Sequence, residues 1–306
     1  MKAKYISLML MLTAATAFTG CSEDDLDPVS VFDTTAPERN EFDLWLLKNY
    51  SEEYNISFNY LYNDKETDHT YNVIPADFDK SKAIAKLVKH MWLEVYAEAV
   101  SPTFIKTYTP RVIQLIGSYE WNQSGSRVLG TAEGGLKVML YGINNLDIDN
   151  PYINTEDFYR SHDAEPLDLN YFFFHTMHHE FCHILTQKKN YSTDFRVISV
   201  GKYHSTDWIN VKDKDAGKEG FVSGYASGEY NEDFAETYAT YVTLSPAGWQ
   251  KVIDNAGTEG AAIINKKLDL VKEYFRDSWG IDLDDLRDIV LRRSGEVASL
   301  DLHNLD

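Results

Sequence analysis

Residues 169–187, LNYFFFHTMHHEFCHILTQ, decide how the rest of the chain is read. Phe172, Phe173, Phe174, Met177, Phe181, Ile184 and Leu185 predict a helix with a buried side. Within it stand His175, His178, His179, Glu180 and His183, and residues 179–183 spell His-Glu-Phe-Cys-His. Four helical residues turn about 400°, so His179 and His183 lie one above the other and both imidazoles can meet one ion. Glu180, about 100° round from His179, can reach a water at that ion without joining its ligands. Burying several imidazoles and a carboxylate among aromatic rings is costly unless a metal or hydrogen-bond partners satisfy them. The expectation is a Zn²⁺ site with His179 and His183 as ligands and Glu180 as general base. Catalytic zinc takes three protein ligands and keeps one position open, so His175, one turn earlier, is expected to support the site or the core. The role of His178 is open.

The third ligand must come from elsewhere. Residues 231–242, NEDFAETYATYV, predict a second helix, on which Glu232 and Glu236 are again four apart and face one way. One carboxylate can bind the ion while the other accepts a hydrogen bond from a ligand histidine and so fixes its tautomer. Asp233 and Glu229 are the alternative ligands.

The pair of helices resembles the gluzincin metallopeptidases, in which HExxH lies on one helix and the ligand Glu on the next, in an Asn-Glu-x-Phe-Ala setting. The resemblance implies Glu232 as ligand and Glu236 as the carboxylate behind a histidine. The 49 residues from His183 to Glu232 exceed the spacing of thermolysin-like enzymes and aminopeptidases and come closer to the anthrax-lethal-factor group. That group has a catalytic Tyr seven residues before its ligand Glu, and Tyr225 stands at that place here. Its phenol would donate to the oxyanion of a tetrahedral intermediate; His204 is the second choice.

The amino terminus is expected to be a leader. Lys2 and Lys4 precede an apolar run over residues 6–18, too short for a hydrocarbon core that takes about 20 helical residues. Gly20-Cys21 at its end resembles a bacterial lipobox, which implies cleavage of residues 1–20 and acylation of Cys21. Residues 21–40 read as a tether, polar with Pro28 and Pro37, and the acidic run Ser22-Glu23-Asp24-Asp25 resembles the export tag of surface-exposed outer-membrane lipoproteins. Leader, acidic run, HExxH helix and Glu-Asp-Phe-Ala-Glu-Thr together resemble the substrate import-associated zinc metallohydrolase lipoproteins. That resemblance implies partners in outer-membrane nutrient import of the TonB-dependent type, with membrane contact only through the lipid.

With 48 Asp+Glu against 29 Lys+Arg, a net charge of −19, the chain is not expected to bind nucleic acid. A hydrophobic content of 43% supplies a full core. With Cys21 acylated, Cys182 is left alone, so no intramolecular disulfide is expected.

Residues 41–306 are expected to form one zincin-like α+β domain, with a small mixed sheet within about 41–166 and helices from about 167 onward. Helices are predicted near 41–53, 80–99, 249–252, 261–279 and 283–291, and strands over 56–62, 111–119 and 136–143. Residues 134–140 are read either as the edge strand that pairs with an extended substrate or as an ordinary strand.

The expected function is zinc-dependent hydrolysis of a peptide or related amide. The alternatives are a substrate-binding lipoprotein with an idle zinc site and an amidase acting on cell-wall or glycan-linked substrates.

Overall fold

The computed structural model describes residues 38–66, 72–121, 127–128, 130–133 and 136–305. The leader, Cys21, the acidic run, the tether up to Pro37 and Gly134-Gly135 lie outside the described residues.

The first helix, α1 (Glu41–Leu46), continues through a wider turn at Leu47–Glu52 and is closed at its start by a capping box between Asn40 and Asp43. Strand β1 (Ser57–Asn59) follows. Helix α2 (Phe78–Val88) passes through a π-type turn (Lys89–Leu93) into α3 (Glu94–Ala99). Asp77 caps it, its carboxylate accepting the backbone N–H groups of Asp79 and Lys80, and this moves the start two residues ahead of the sequence-based boundary. Helix α4 (Pro102–Tyr108), capped by Ser101 with proline in its first turn, leads into β2 (Val112–Leu115).

The strands β3 (Glu120–Trp121), β4 (Arg127–Val128), β5 (Gly130–Glu133) and β6 (Lys137–Leu140) complete the sheets. The main sheet has the order β1-β2-β6-β5, with β1, β2 and β6 parallel and β5 antiparallel to β6. This corrects the edge-strand reading of residues 134–140: β6 lies between β2 and β5, both its edges are hydrogen-bonded, and β5 forms the outer edge. Strands β3 and β4 pair separately.

The helices that follow are α5 (His175–Lys188), entered through a π-type turn at Asn170–Phe174, α6 (Asp194–Ile198) and α7 (Asp213–Glu219). Next come α8 (Tyr230–Thr243), α9 (Pro246–Tyr274) and α10 (Leu283–Glu296). Helix α9 is broken at Gly257, whose φ of 67° lies in the left-handed region open to glycine. Helices dominate the α+β fold, all named strands lie before residue 141, and residues Asn40–Asp306 form one unit.

Helix α5 runs through the middle of the core. Phe172, Phe173 and Phe174 of the entering turn and Met177, Phe181 and Leu185 of the helix are buried, each contributing about 1.5–3 kcal/mol. Helix α8 packs against it, with Glu232 and Glu236 facing its histidines and Ala235 and Ala239 buried. Behind α8, Lys267 of α9 forms an ion pair with Asp233 at 2.7 Å, both groups fully out of solvent. Tyr203 also donates to this carboxylate at 2.9 Å, and Lys267 donates to the Gly220 carbonyl at 2.7 Å.

Candidate metal centre

The close approach of α5 and α8 brings three ligand atoms to one point. His179 Nε2 lies 3.0 Å from Glu232 Oε2 and 3.0 Å from His183 Nε2, and His183 Nε2 lies 3.3 Å from Glu232 Oε2. Four donors arranged tetrahedrally at about 2.0–2.1 Å from a zinc ion are spaced about 3.3 Å apart, so this triangle fits one face of such a shell. Two imidazole nitrogens and a carboxylate oxygen are also the donor types that zinc prefers.

The opposite sides of these groups fix their chemistry. His179 Nδ1 donates to Glu236 Oε1 at 2.8 Å, which leaves the Nε2 lone pair directed at the triangle. Glu236 also receives His175 Nε2 at 2.9 Å and the Ser223 hydroxyl at 2.7 Å. Burial works against the charge on Glu236, yet His175 and His179 hold its carboxyl well below the usual range. Burial likewise opposes charge on His179, but the carboxylates of Glu232 and Glu236, which accept its hydrogen bonds, prevail and raise its pKa to about 10, so an ion bound at the triangle would replace the Nε2 proton. Glu232 is lowered too, its partial burial outweighed by His179 and His183.

A second cluster of possible ligands, His175, His179 and Glu236, shares one histidine with the first. It would use His179 Nδ1, and its carboxylate is already filled by three donors, so the triangle of His179, His183 and Glu232 is the better metal site.

Asp233, an alternative ligand from the sequence, points away from the triangle and into its pair with Lys267; burial raises it to about 6. The carboxylate of Glu229 accepts the Asn231 amide at 3.1 Å. His178 is a core residue. Its Nδ1 lies 2.7 Å from the Tyr96 hydroxyl, and burial lowers its pKa to about 3, so it stays neutral. His204 lies 2.8 Å from Glu219.

Tyr225 lies beside the triangle, its ring centroid 5.7 Å from that of His179 and 4.8 Å from that of Trp208. Burial first, then the carboxylates Glu232, Glu236 and Glu180, raise its phenol, so it remains a donor. The turn that presents it is fastened on both sides. Ser223 Oγ accepts the Ala226 N–H at 3.0 Å while donating to Glu236, and Asp213 Oδ1 accepts the Gly224 N–H at 2.8 Å. Only glycine fits at 224, because a Cβ there would stand 2.1 Å from the Val211 carbonyl oxygen. Ser223 and Asp213 were not singled out from the sequence; Ser223, two residues before Tyr225, carried no motif that marked it.

The triangle opens into a cleft of about 1170 Å³ whose walls include Glu180, Tyr225, Trp208, Tyr171 and Arg196. A family model described as "Putative zinc-binding metallo-peptidase" matches residues 35–284. The chain belongs to this family. It is also similar to the crystal structure of a "putative zinc-binding metallo-peptidase" from Bacteroides caccae, with a TM-score of 0.72 and 43% identity over 90% of this chain and 100% of that one. No curated protein matches it. In this family member the donor set on α5 and α8 is suited to the metal that the family description names, and Glu180 stands on the same cleft wall as His179 and His183.

Proposed function

We propose that this protein is a zinc-dependent hydrolase that cleaves peptide or related amide bonds. The observation that carries the reading is the convergence of His179, His183 and Glu232 within 3.0–3.3 Å at the wall of an open cleft, with Glu180 beside them. His179, His183 and Glu232 would hold the zinc ion, which would supply a Lewis acid and lower the pKa of a water to about 7. Glu180 accepts a proton from the attacking water and returns it to the leaving amine. Tyr225 donates its hydroxyl hydrogen bond to the carbonyl oxygen as negative charge gathers there. Glu236 keeps His179 in the tautomer that presents Nε2, and Ser223 keeps Glu236 in place. Digestion of a peptide library by the zinc-loaded protein tests the reading, and the cut sites report preferred side chains. Binding of peptides without cleavage, unaltered by Glu180→Gln, would favour the rival reading of a capture protein with an idle site; an intact base speaks against it.

We further propose that the protein is an outer-membrane lipoprotein, anchored through Cys21 and exposed at the cell surface, working beside a nutrient importer of the TonB-dependent type. Support comes from the leader and acidic run alone. Cys21→Ala should release the protein from the membrane fraction, and protease shaving of intact cells should cleave the wild type. Protection of the wild type until lysis would place it on the inner side of the outer membrane.

A further inference from the structure

Among the described residues the cleft is lined by two cations, Arg160 and Arg196, against at least eight carboxylates. Arg160 is committed to the fold. Its Nη2 donates to the carbonyls of Ala164 at 2.9 Å and Pro166 at 2.8 Å, and its guanidinium lies over Tyr152.

Arg196 is different. Its guanidinium carbon lies 4.4 Å from the Tyr230 ring centroid and 5.6 Å from that of Tyr191, and its Nε is buried with no hydrogen-bond partner. It makes no ion pair with any described carboxylate. The nearby acid Glu229 faces the Asn231 amide instead. The support beneath Arg196 is rigid: Phe195 is fully buried against Phe234, and Tyr191 stacks on Phe234 at 4.0 Å while donating to Asn231 Oδ1 at 2.9 Å. Tyr230 and Asn231 immediately precede Glu232 on α8, so Arg196 stands in the same cleft beside the helix turn that carries a proposed ligand.

We propose that Arg196 is the specificity-determining residue that receives a carboxylate of the substrate, either an acidic side chain or the free carboxyl terminus of a peptide. A guanidinium seated over the Tyr230 ring and tied to the Tyr191 hydroxyl by a side-chain hydrogen bond, but not engaged by an acid, keeps N–H groups for a carboxylate, and little freedom is lost on binding. Elsewhere in the cleft the acidic lining repels a carboxylate. One cation in such surroundings fixes the substrate's register as well as its identity. The inference rests on the hydrolase reading only for the consequence of binding, not for the binding itself.

The test uses peptide pairs that differ only in Glu against Gln at one position, or in a free against an amidated carboxyl terminus. With the zinc-loaded wild type, the acidic member should have a kcat/KM about 10- to 100-fold higher, the range expected of charge-assisted hydrogen bonds. Arg196→Met, which keeps the stem on the tyrosines, should bring that ratio close to one. Arg196→Lys should leave an intermediate ratio, because charge remains and the planar fork is lost. Whichever pair shows the difference identifies the source of the carboxylate. A wild type with no preference, or a preference that survives Arg196→Met, overturns the proposal. Titration of the same pairs onto Glu180→Gln reads binding without turnover: equal affinities overturn the role of Arg196 even where nothing is cleaved. Carboxylate-selective binding, lost in Arg196→Met and unaccompanied by cleavage in the wild type, supports the role of Arg196 and overturns the hydrolase reading.

Discussion

The Ser223 hydroxyl donates to Glu236 Oε2 at 2.7 Å, while the other oxygen of that carboxylate accepts His179 Nδ1–H at 2.8 Å. One carboxylate therefore fastens both the proposed ligand helix and the turn that presents Tyr225.

Ser223→Ala should loosen the turn and lower kcat about 10-fold with little change in KM. Tyr225→Phe, which removes the donor itself, should cost about 10²- to 10³-fold. In the Tyr225→Phe background the serine substitution should cost less than it does alone, since the part that passes through the phenol is already lost and only its hold on Glu236 remains. Steady-state kinetics of the two single variants and the double variant check this; fully multiplicative losses would separate Ser223 from Tyr225.

Metal content distinguishes the two glutamates of α8. The protein should hold about one Zn²⁺ per chain, and Glu232→Ala should weaken it far more than Glu236→Ala, whose expected loss is about 10- to 100-fold. Competition with a chelator measures both. Undiminished affinity in Glu232→Ala would remove it from the ligand set.

Glu180→Gln should retain zinc and lose turnover by about 10²- to 10⁴-fold, because the amide cannot accept the water's proton. Metal analysis alongside single-turnover assays decides it, and wild-type rates in this variant would show that another group is the base.

The buried pair behind the site gives a stability prediction. Lys267→Met strands Asp233 as an unpaired carboxylate and leaves the Gly220 carbonyl without its donor, at a cost of about 3–5 kcal/mol in urea unfolding. Adding Asp233→Asn to Lys267→Met should recover much of the loss. If the double variant is no more stable than Lys267→Met alone, the stranded charge is not the cause.

The two helices of the site were legible in the sequence because each has apolar residues at helical spacing and polar residues four apart that must share a face. Asp233 stayed open as an alternative ligand in the sequence, and its pairing with Lys267, 34 residues further along the chain, is what turns it away from the site. The sheet edge was not legible: residues 127–133, RVLGTAE, lack a sustained alternation and contain a glycine, so pairing with β6 rather than local pattern makes β5 a strand. Ser223, Asp213 and Arg196 belong to common residue types with no motif around them. Their roles depend on which distant segment meets them, and only the folded chain decides that.

Packing contributes to holding α5 and α8 together: buried aromatic residues seat one in the core and the other is pinned from behind by Lys267. Metal loading should then be separable from folding, unlike in small domains that are unstructured until their ion arrives. On that expectation the chain completes its folding first and takes up an ion afterwards, and a chelator should leave behind a folded protein that can be recharged.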